Sequence, residues 1–181
     1  MARILPKINS SLKEFIEAQQ MFFVATADVD GRINLSPKGL DSLKVLSPNQ
    51  LIWLNLTGSG NETAAHLLAL NRMTIMFCSY EGNPLILRLY GKARTIHPGE
   101  EGWDDLYKHF PKMPGARQIF DMTVETVQTS CGYAVPLMDF KEERSILKSW
   151  AEKQGKDKIR TYWKDKNARS LDGLDTGIVE D

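Results

Sequence analysis

Short runs in which apolar and polar residues alternate occupy most of the chain up to about residue 130, and turn-forming residues separate them. Side chains of a strand point alternately to opposite faces, so this pattern predicts strands. The predicted strands span residues 21–27, 32–39, 43–46, 51–56, 72–80, 85–96 and 123–130. "DVDG" at 28–31 has turn chemistry, so the first two strands are expected to form a hairpin. Gly91 lies inside the long strand 85–96, where a bulge or a barrel bend is expected.

Helical periodicity appears in four places. The predicted helices span residues 11–20, 62–71, 99–122 (two pieces, broken by "PKMPG") and 141–166. The first begins with a capping-box signature, Ser11 followed by Glu14. The chain has no repeated βαβ rhythm, which disfavours a parallel doubly wound sheet. The sequence therefore predicts a mainly β protein with helices (α+β), built around a small antiparallel barrel.

Composition limits the possible functions. The 181 residues are 42% hydrophobic and 25% charged, as in an ordinary globular protein, and fit a single domain over 1–181. We expect the core over about 10–135 and a helical C-terminal extension over about 141–181. Lysine plus arginine (23) equals aspartate plus glutamate (23), so no net charge recruits nucleic acid or an anionic membrane. Any bound anion must be held by a local cluster.

The chain carries no export or metal-binding signature. The first ten residues lack an apolar run, and no stretch reaches the roughly 18 apolar residues that span a bilayer. Cys78 and Cys131 form no CxxC pair, and three histidines are scattered without ligand spacing. We expect Cys78 to lie in the core and Cys131 to be a small buried cysteine, the alternative for Cys131 being a thiol exposed by a turn. We expect His66 to be a packed or interface side chain. These observations predict a cytoplasmic protein without a membrane partner or a structural metal.

The stretch "LTGSGNETAAHL" at 56–67 has two interpretations. A P-loop requires a lysine after the second glycine, and none follows Gly60. The dinucleotide-binding fingerprint fails by one residue in its spacing. A helix beginning near Asn61 still offers backbone N–H groups and its dipole to a phosphate, and Ser59, Asn61 and Thr63 add side-chain donors. The alternative is that Asn61 caps the helix and the glycines form a tight turn.

A phosphate site also needs cationic partners. The candidates on neighbouring predicted strands are Arg32, Lys38, Arg72 and Arg88. Arg88 alternates with apolar residues and therefore points away from them, either toward a phosphate or toward solvent. The aromatic residues Trp150, Tyr162 and Trp163 could stack on a ligand, although aromatic residues at helical spacing usually pack.

Three motifs in order, "DGRINLSPKG", "LIWLNLTGSGNETAAHLLALNRMTIMF" and "LILRLYGKART", resemble the pyridoxamine 5'-phosphate oxidase-like FMN-binding split barrels over roughly residues 10–97. The resemblance implies an FMN-binding split β-barrel and a homodimer with FMN at the subunit interface. One set of residues would lie along the flavin, namely Ser36, Pro37, Lys38 and Gly39. A second set would hold its phosphate or ribityl chain, namely Ser59, Gly60, Asn61 and Thr63.

The chain departs from the oxidase itself in two places. The oxidase has arginine and lysine at its phosphate cluster, whereas "GSGNET" supplies small polar residues and Glu62. The tail also lacks the tryptophan- and arginine-rich pattern that binds the oxidase's product. Both differences argue against oxidation of pyridoxamine phosphate.

The resemblance implies an FMN-dependent oxidoreductase of unknown small-molecule substrate, with a reduced nicotinamide as one possible electron donor. A cation at Lys38 near the flavin would stabilise the anionic reduced ring. No catalytic residue is identified. The alternatives are a non-catalytic flavin or haem binding protein and a deazaflavin-dependent reductase on the same fold.

Overall fold

The computed structural model describes residues 2–178. In chain order the strands are β1 (Arg3–Leu5), β2 (Phe22–Thr26), β3 (Asn34–Lys38), β4 (Leu43–Ser47), β5 (Gln50–Leu56), β6 (Met73–Cys78), β7 (Ile86–Ile96) and β8 (Ala116–Ser130). The helices are α1 (Ser10–Ala18), α2 (Glu62–Ala69), α3 (Trp103–Tyr107) and α4 (Ile146–Tyr162), and a π-helical turn, Trp163–Asn167, follows α4.

The eight strands form one antiparallel sheet. Its order is β3-β2-β6-β7-β8-β5-β4, and β1 pairs with β8. The hairpin predicted from "DVDG" is confirmed, because β2 and β3 pair with Val24 opposite Ser36. The outermost strands, β3 and β4, do not pair with each other, so the sheet is not closed.

The core lies on both faces of β5. One face packs in the interior, where the Trp53 ring stacks on Phe120 with centroids 4.8 Å apart and meets Phe22 edge-on at 6.3 Å. The other face, which carries Ile52 and Leu54, packs with residues of α3 and β8. Because both faces are covered, residues 51–54 of β5 form a continuous apolar run rather than an alternating pattern.

Gly91 marks a bulge, as predicted. The register of β7 against β8 shifts between Tyr90 and Gly91. A Cβ atom at position 91 would overlap the carbonyl oxygen of Thr123. The two backbones therefore approach each other more closely than any residue with a side chain would allow.

The helix predicted over 99–122 is wrong for most of its length. Only Trp103–Tyr107 is helical, and residues 116–122 form the first half of β8. Phe120 pairs with Trp53 of β5 on one side and with Thr95 of β7 on the other. Pairing on both edges decides this structure, and a short stretch of mixed apolar and polar residues fits either element by pattern alone.

Two helix starts also differ from the predictions. Asn9, rather than Ser11, is the N-cap of α1, because its Oδ1 accepts a hydrogen bond from the backbone N–H of Leu12 at 2.9 Å. α4 begins only at Ile146, and residues 131–145 contain no helix. No helix within residues 2–178 is long and apolar enough to cross a membrane.

The chain returns to the barrel after α4. We call residues 163–176 the C-terminal segment. Although it follows the last helix, three of its polar side chains are buried, those of Asn167, Ser170 and Thr176. Their burial shows that this segment is packed against the domain and is part of its tertiary structure.

Candidate functional site

β3 carries one polar face toward the interior. Its exposure alternates so that Asn34, Ser36 and Lys38 are partly buried, whereas Leu35 and Pro37 are exposed. Asn34 Nδ2 donates a hydrogen bond to Thr63 Oγ1 at 3.2 Å. This bond places "NLSPKG" beside the first turn of α2, so two motifs that are far apart in the sequence adjoin.

Lys38 lies against the aromatic core. Its Nζ atom is 5.2 Å from the centroid of the Trp53 ring, within the range of a cation–π contact. Burial, and secondly the positive charge of Arg117, lowers the pKa of Lys38 to about 8. The ammonium group is therefore still mainly protonated at pH 7.

Residues 57–61, which we call the glycine loop, are anchored to the rest of the domain by hydrogen bonds. Thr57 is anchored through its backbone N–H and its hydroxyl, which both donate to Gly115 O at 2.8 Å. Trp163 Nε1 donates to Thr57 Oγ1 at 2.8 Å. Asn167 Nδ2 donates to Gly58 O at 3.1 Å. Two side chains of the C-terminal segment thus hold the loop.

Arg117 is the second cation of the site. It lies near the start of β8, is 2% exposed, and donates from Nη1 to Gly60 O at 3.0 Å and to Asn167 Oδ1 at 2.6 Å. Its Nε atom is buried without a partner. Burial lowers the pKa of Arg117 to about 10, so the guanidinium remains charged at neutral pH. Both of its acceptors are neutral.

Neither cation is neutralised by a carboxylate among the described residues. Within residues 2–178, no carboxylate forms an ion pair with Lys38 or Arg117. Burying a charge without a counter-charge is costly, and a neutral hydrogen-bond acceptor offsets only part of that cost. The site is therefore suited to an anionic ligand.

The capping interpretation of Asn61 is wrong. The side chain makes no capping hydrogen bond to α2. Instead its Oδ1 accepts from Gln118 Nε2 at 2.7 Å, in a contact where both side chains are buried. The first backbone N–H groups of α2 consequently have no side-chain cap.

A groove of about 1360 Å³ borders Pro37, Lys38 and Gly39. Its other walls are the end of α1, the turn between β6 and β7, the stretch before α4, and the first turns of α4. Apolar side chains contribute much of its lining, among them Phe15 and Trp150. A groove of this size accommodates a fused aromatic ring system.

A sequence model described as pyridoxamine 5'-phosphate oxidase matches residues 8–131. The chain belongs to this family. The pyridoxamine 5'-phosphate oxidase family protein ustO of Aspergillus flavus is 35% identical over 185 residues, covering 92% of this chain and 74% of that protein.

Solved structures of other proteins share this fold. HupZ from Group A Streptococcus superposes with a TM-score of 0.53 at 23% identity, over 66% of this chain and 91% of that one. The FAD binding protein from Mycobacterium smegmatis has a TM-score of 0.50 at 11% identity, over 70% and 97% of the two chains. The predicted split-barrel fold is thereby confirmed.

The C-terminal segment lies beyond the residues that the family model matches. That model ends at 131, whereas Trp163 and Asn167 contact the glycine loop from more than thirty residues further on. The loop is therefore anchored partly by residues of the matched region, Gly115 and Arg117, and partly by residues outside it.

The structure separates the four cations that the sequence suggested. Only Lys38 joins the site. Arg32 pairs with Asp172 through its guanidinium, and Arg72 is exposed. Arg88 donates to Ser130 Oγ at 3.2 Å. The second cation of the site is Arg117 instead. No sequence signal identified it, because the segment that contains it was predicted to be helical.

The remaining site residues of the sequence analysis are divided between surface and interior. Ser59 is exposed on the glycine loop beside Gly60, whereas Asn61 and Thr63 are buried. The prediction that Cys131 is buried is wrong, because the thiol is exposed. Cys78 and His66 are buried, as expected. Trp150 and Tyr162 pack edge-on with centroids 5.5 Å apart.

Proposed function

We propose that this family member is an FMN-dependent oxidoreductase that binds FMN at a homodimer interface. It passes hydride or electrons between the flavin and a reduced nicotinamide or another small organic substrate. FMN carries a phosphate at one end and a ring that becomes anionic on reduction at the other. These are the two kinds of negative charge that a site with two cations accommodates.

The observation that carries the proposal is the pair of uncompensated cations, Lys38 and Arg117. Arg117 lies at the glycine loop, and Lys38 lies at the edge of the large apolar groove. A phosphate at the loop and a flavin ring in the groove would each meet one of these charges. The residues present therefore fit FMN, and the FAD binding relative from Mycobacterium smegmatis supports a flavin in this fold.

The protein's own groups have separate tasks in this proposal. Flavin, when bound, supplies hydride and electron transfer at its ring. Lys38 keeps a proton on Nζ and presents a positive charge that favours the reduced, anionic ring. The apolar lining of the groove, including Phe15 and Trp150, excludes water from that charge and so strengthens its effect.

A homodimer is part of the proposal because large apolar side chains are exposed around residues 133–146. Tyr133 is 82% exposed and Leu137 is 78% exposed, and Met138, Phe140 and Ile146 are exposed in the same stretch. Several such residues in one stretch are typical of an association surface. Met138, Phe140 and Ile146 also line the groove, so a partner seated there would close it.

An absorbance spectrum of the purified protein, followed by titration with FMN, tests this function. We expect flavin bands that shift on binding, and bleaching of those bands when a reduced nicotinamide is added without oxygen. Parallel titrations with FAD and a deazaflavin decide which flavin is preferred. A spectrum that stays flat after FMN is added contradicts the proposal, and a Soret band after haem titration would replace it with haem binding.

A further inference from the structure

Two carbonyl groups of the glycine loop point into the protein. Gly58 O accepts from Asn167 Nδ2 at 3.1 Å, and Gly60 O accepts from Arg117 Nη1 at 3.0 Å. Asn167 is completely buried and Arg117 is 2% exposed, so both carbonyls face the interior. The same two side chains are joined by the bond from Arg117 Nη1 to Asn167 Oδ1.

The planarity of the peptide bond fixes the direction of the next two N–H groups. In a trans peptide the carbonyl oxygen of one residue and the N–H of the next point in opposite directions. No cis peptide occurs among the described residues. The N–H groups of Ser59 and Asn61 therefore point away from Asn167 and Arg117. No hydrogen bond among residues 2–178 uses either of these N–H groups.

The charge behind the loop has the sign that an anion requires. Arg117 is buried, has neutral acceptors, and carries an Nε atom without any partner. Glu62, the acidic residue of the loop motif, accepts a hydrogen bond from the backbone N–H of Leu171 at 3.1 Å with both carboxylate oxygens, and the same carboxylate lies beside Gly60. Two unpaired N–H groups that point away from a buried cation are the kind of backbone donors that bind phosphates.

We propose that Asn167 and Arg117 act as a pair of positioning residues that turn the glycine loop into a phosphate cradle. They draw the carbonyls of Gly58 and Gly60 inward, so that the N–H groups of Ser59 and Asn61 and the Ser59 hydroxyl face the ligand. The C-terminal segment thereby contributes to ligand affinity without touching the ligand. This inference rests on the proposed function for FMN as the phosphate-bearing ligand.

The test compares FMN with riboflavin, which has the same ring and no phosphate. The ratio of the two dissociation constants isolates the phosphate, because general damage to the flavin site weakens both ligands alike. We expect the wild-type protein to bind FMN at least tenfold more tightly than riboflavin. Asn167→Ala and Arg117→Met should each reduce that ratio by about tenfold or more while leaving riboflavin affinity unchanged.

Matched controls separate the cradle from general charge and folding effects. Arg94→Met removes an exposed cation from β7 and should leave the ratio unchanged. Asn167→Gln retains the amide group on a side chain longer by one methylene, and recovery of the ratio relative to Asn167→Ala would show that the amide positions the loop. Asn167→Ala leaves Arg117 in place, so it keeps the test decisive if Arg117→Met does not fold.

Each outcome points to one conclusion. If wild type binds FMN and riboflavin equally, or if the variants weaken both ligands alike, the cradle is wrong although flavin binding stands. If wild type binds neither flavin, the proposed function fails, and inorganic phosphate becomes the probe. Phosphate is then added at constant ionic strength, and the melting temperatures of wild type and Asn167→Ala are measured. A rise in wild type that is absent in Asn167→Ala would still support the cradle. No rise in wild type would overturn it.

Discussion

The ammonium group of Lys38 lies 5.2 Å from the centroid of the Trp53 ring, at the point where the outermost strand β3 meets the interior of the barrel. The contact joins a residue from the end of β3 to a fully buried ring of β5, although these strands are not neighbours in the sheet. Lys38 is therefore a polar group at the edge of the aromatic core. The groove proposed for the flavin ring begins at the same residue.

Lys38→Met should stabilise the protein without ligand at pH 7. Burial lowers the pKa of Lys38 to about 8, below the ordinary lysine value near 10.4. Between these values the folded protein binds fewer protons than the unfolded chain, so wild-type stability rises with pH. The cost of burying the charge is complete below about pH 8 and is on the order of 3 kcal/mol.

Urea unfolding of wild type and Lys38→Met from pH 7 to pH 10.5 measures this cost. The stability advantage of the variant should shrink as the pH rises above 8 and disappear near the ordinary lysine value. A difference that stays constant across this range would show that Lys38 is not responsible for the titration. FMN affinity should change in the opposite direction, falling in the variant.

Ser59→Ala should weaken FMN binding without weakening the fold. Ser59 is exposed on the glycine loop, and its hydroxyl makes no hydrogen bond within the described residues. Loss of one donor to a phosphate costs about 1 to 2 kcal/mol, or roughly tenfold in affinity. Fluorescence titration measures the affinity, and Ser149→Ala, an exposed serine of α4, serves as the control. Equal affinities for Ser59→Ala and wild type would place the phosphate elsewhere.

Gly91→Ala should destabilise the protein by more than about 3 kcal/mol, or prevent folding. The added Cβ would overlap the carbonyl of Thr123, and backbone atoms in paired strands cannot move apart cheaply. Gly58→Ala is the matched control, because nothing lies within 4 Å of a Cβ at that position. Urea unfolding compares the two. Similar stabilities for both variants would contradict the close approach of β7 and β8.

Leu137→Asp should convert the proposed dimer to a monomer and weaken FMN binding. Leu137 is 78% exposed, and a buried carboxylate in an apolar interface is strongly unfavourable. Sedimentation velocity measures the oligomeric state. Val29→Asp, at an equally exposed position in the hairpin turn, should leave the dimer intact. A wild-type protein that sediments as a monomer at micromolar concentration would contradict the interface.

Local patterns in the sequence predict much of the barrel. The turn at 28–31, the alternation along β3 and the bulge at Gly91 are all confirmed. Each depends on backbone conformation or on side-chain period over a few residues. The prediction failed at 116–122, where a short stretch of mixed apolar and polar residues fits both a helix and a strand. There, pairing with β5 and β7 decides the structure.

Only part of the candidate site could be predicted from the sequence. Lys38 and the glycine loop follow from a motif and from local chemistry, and residues 8–131 carry the family's pattern. Arg117 and Asn167 have no such signal. A buried arginine with neutral partners looks in sequence like any other arginine, and its burial depends on strands and on a segment that are distant in the chain.

The hairpins, the bulge and the polar loop before a helix follow from interactions among neighbouring residues and can therefore be predicted from the sequence. The role of that loop depends on contacts between distant parts of the chain. Asn167 reaches Gly58 across 109 positions of the chain, and Arg117 reaches Gly60 across 57. Contacts at such separations exist only after the sheet has formed and the C-terminal segment has packed against it. The direction of the loop's N–H groups therefore follows from the fold as a whole.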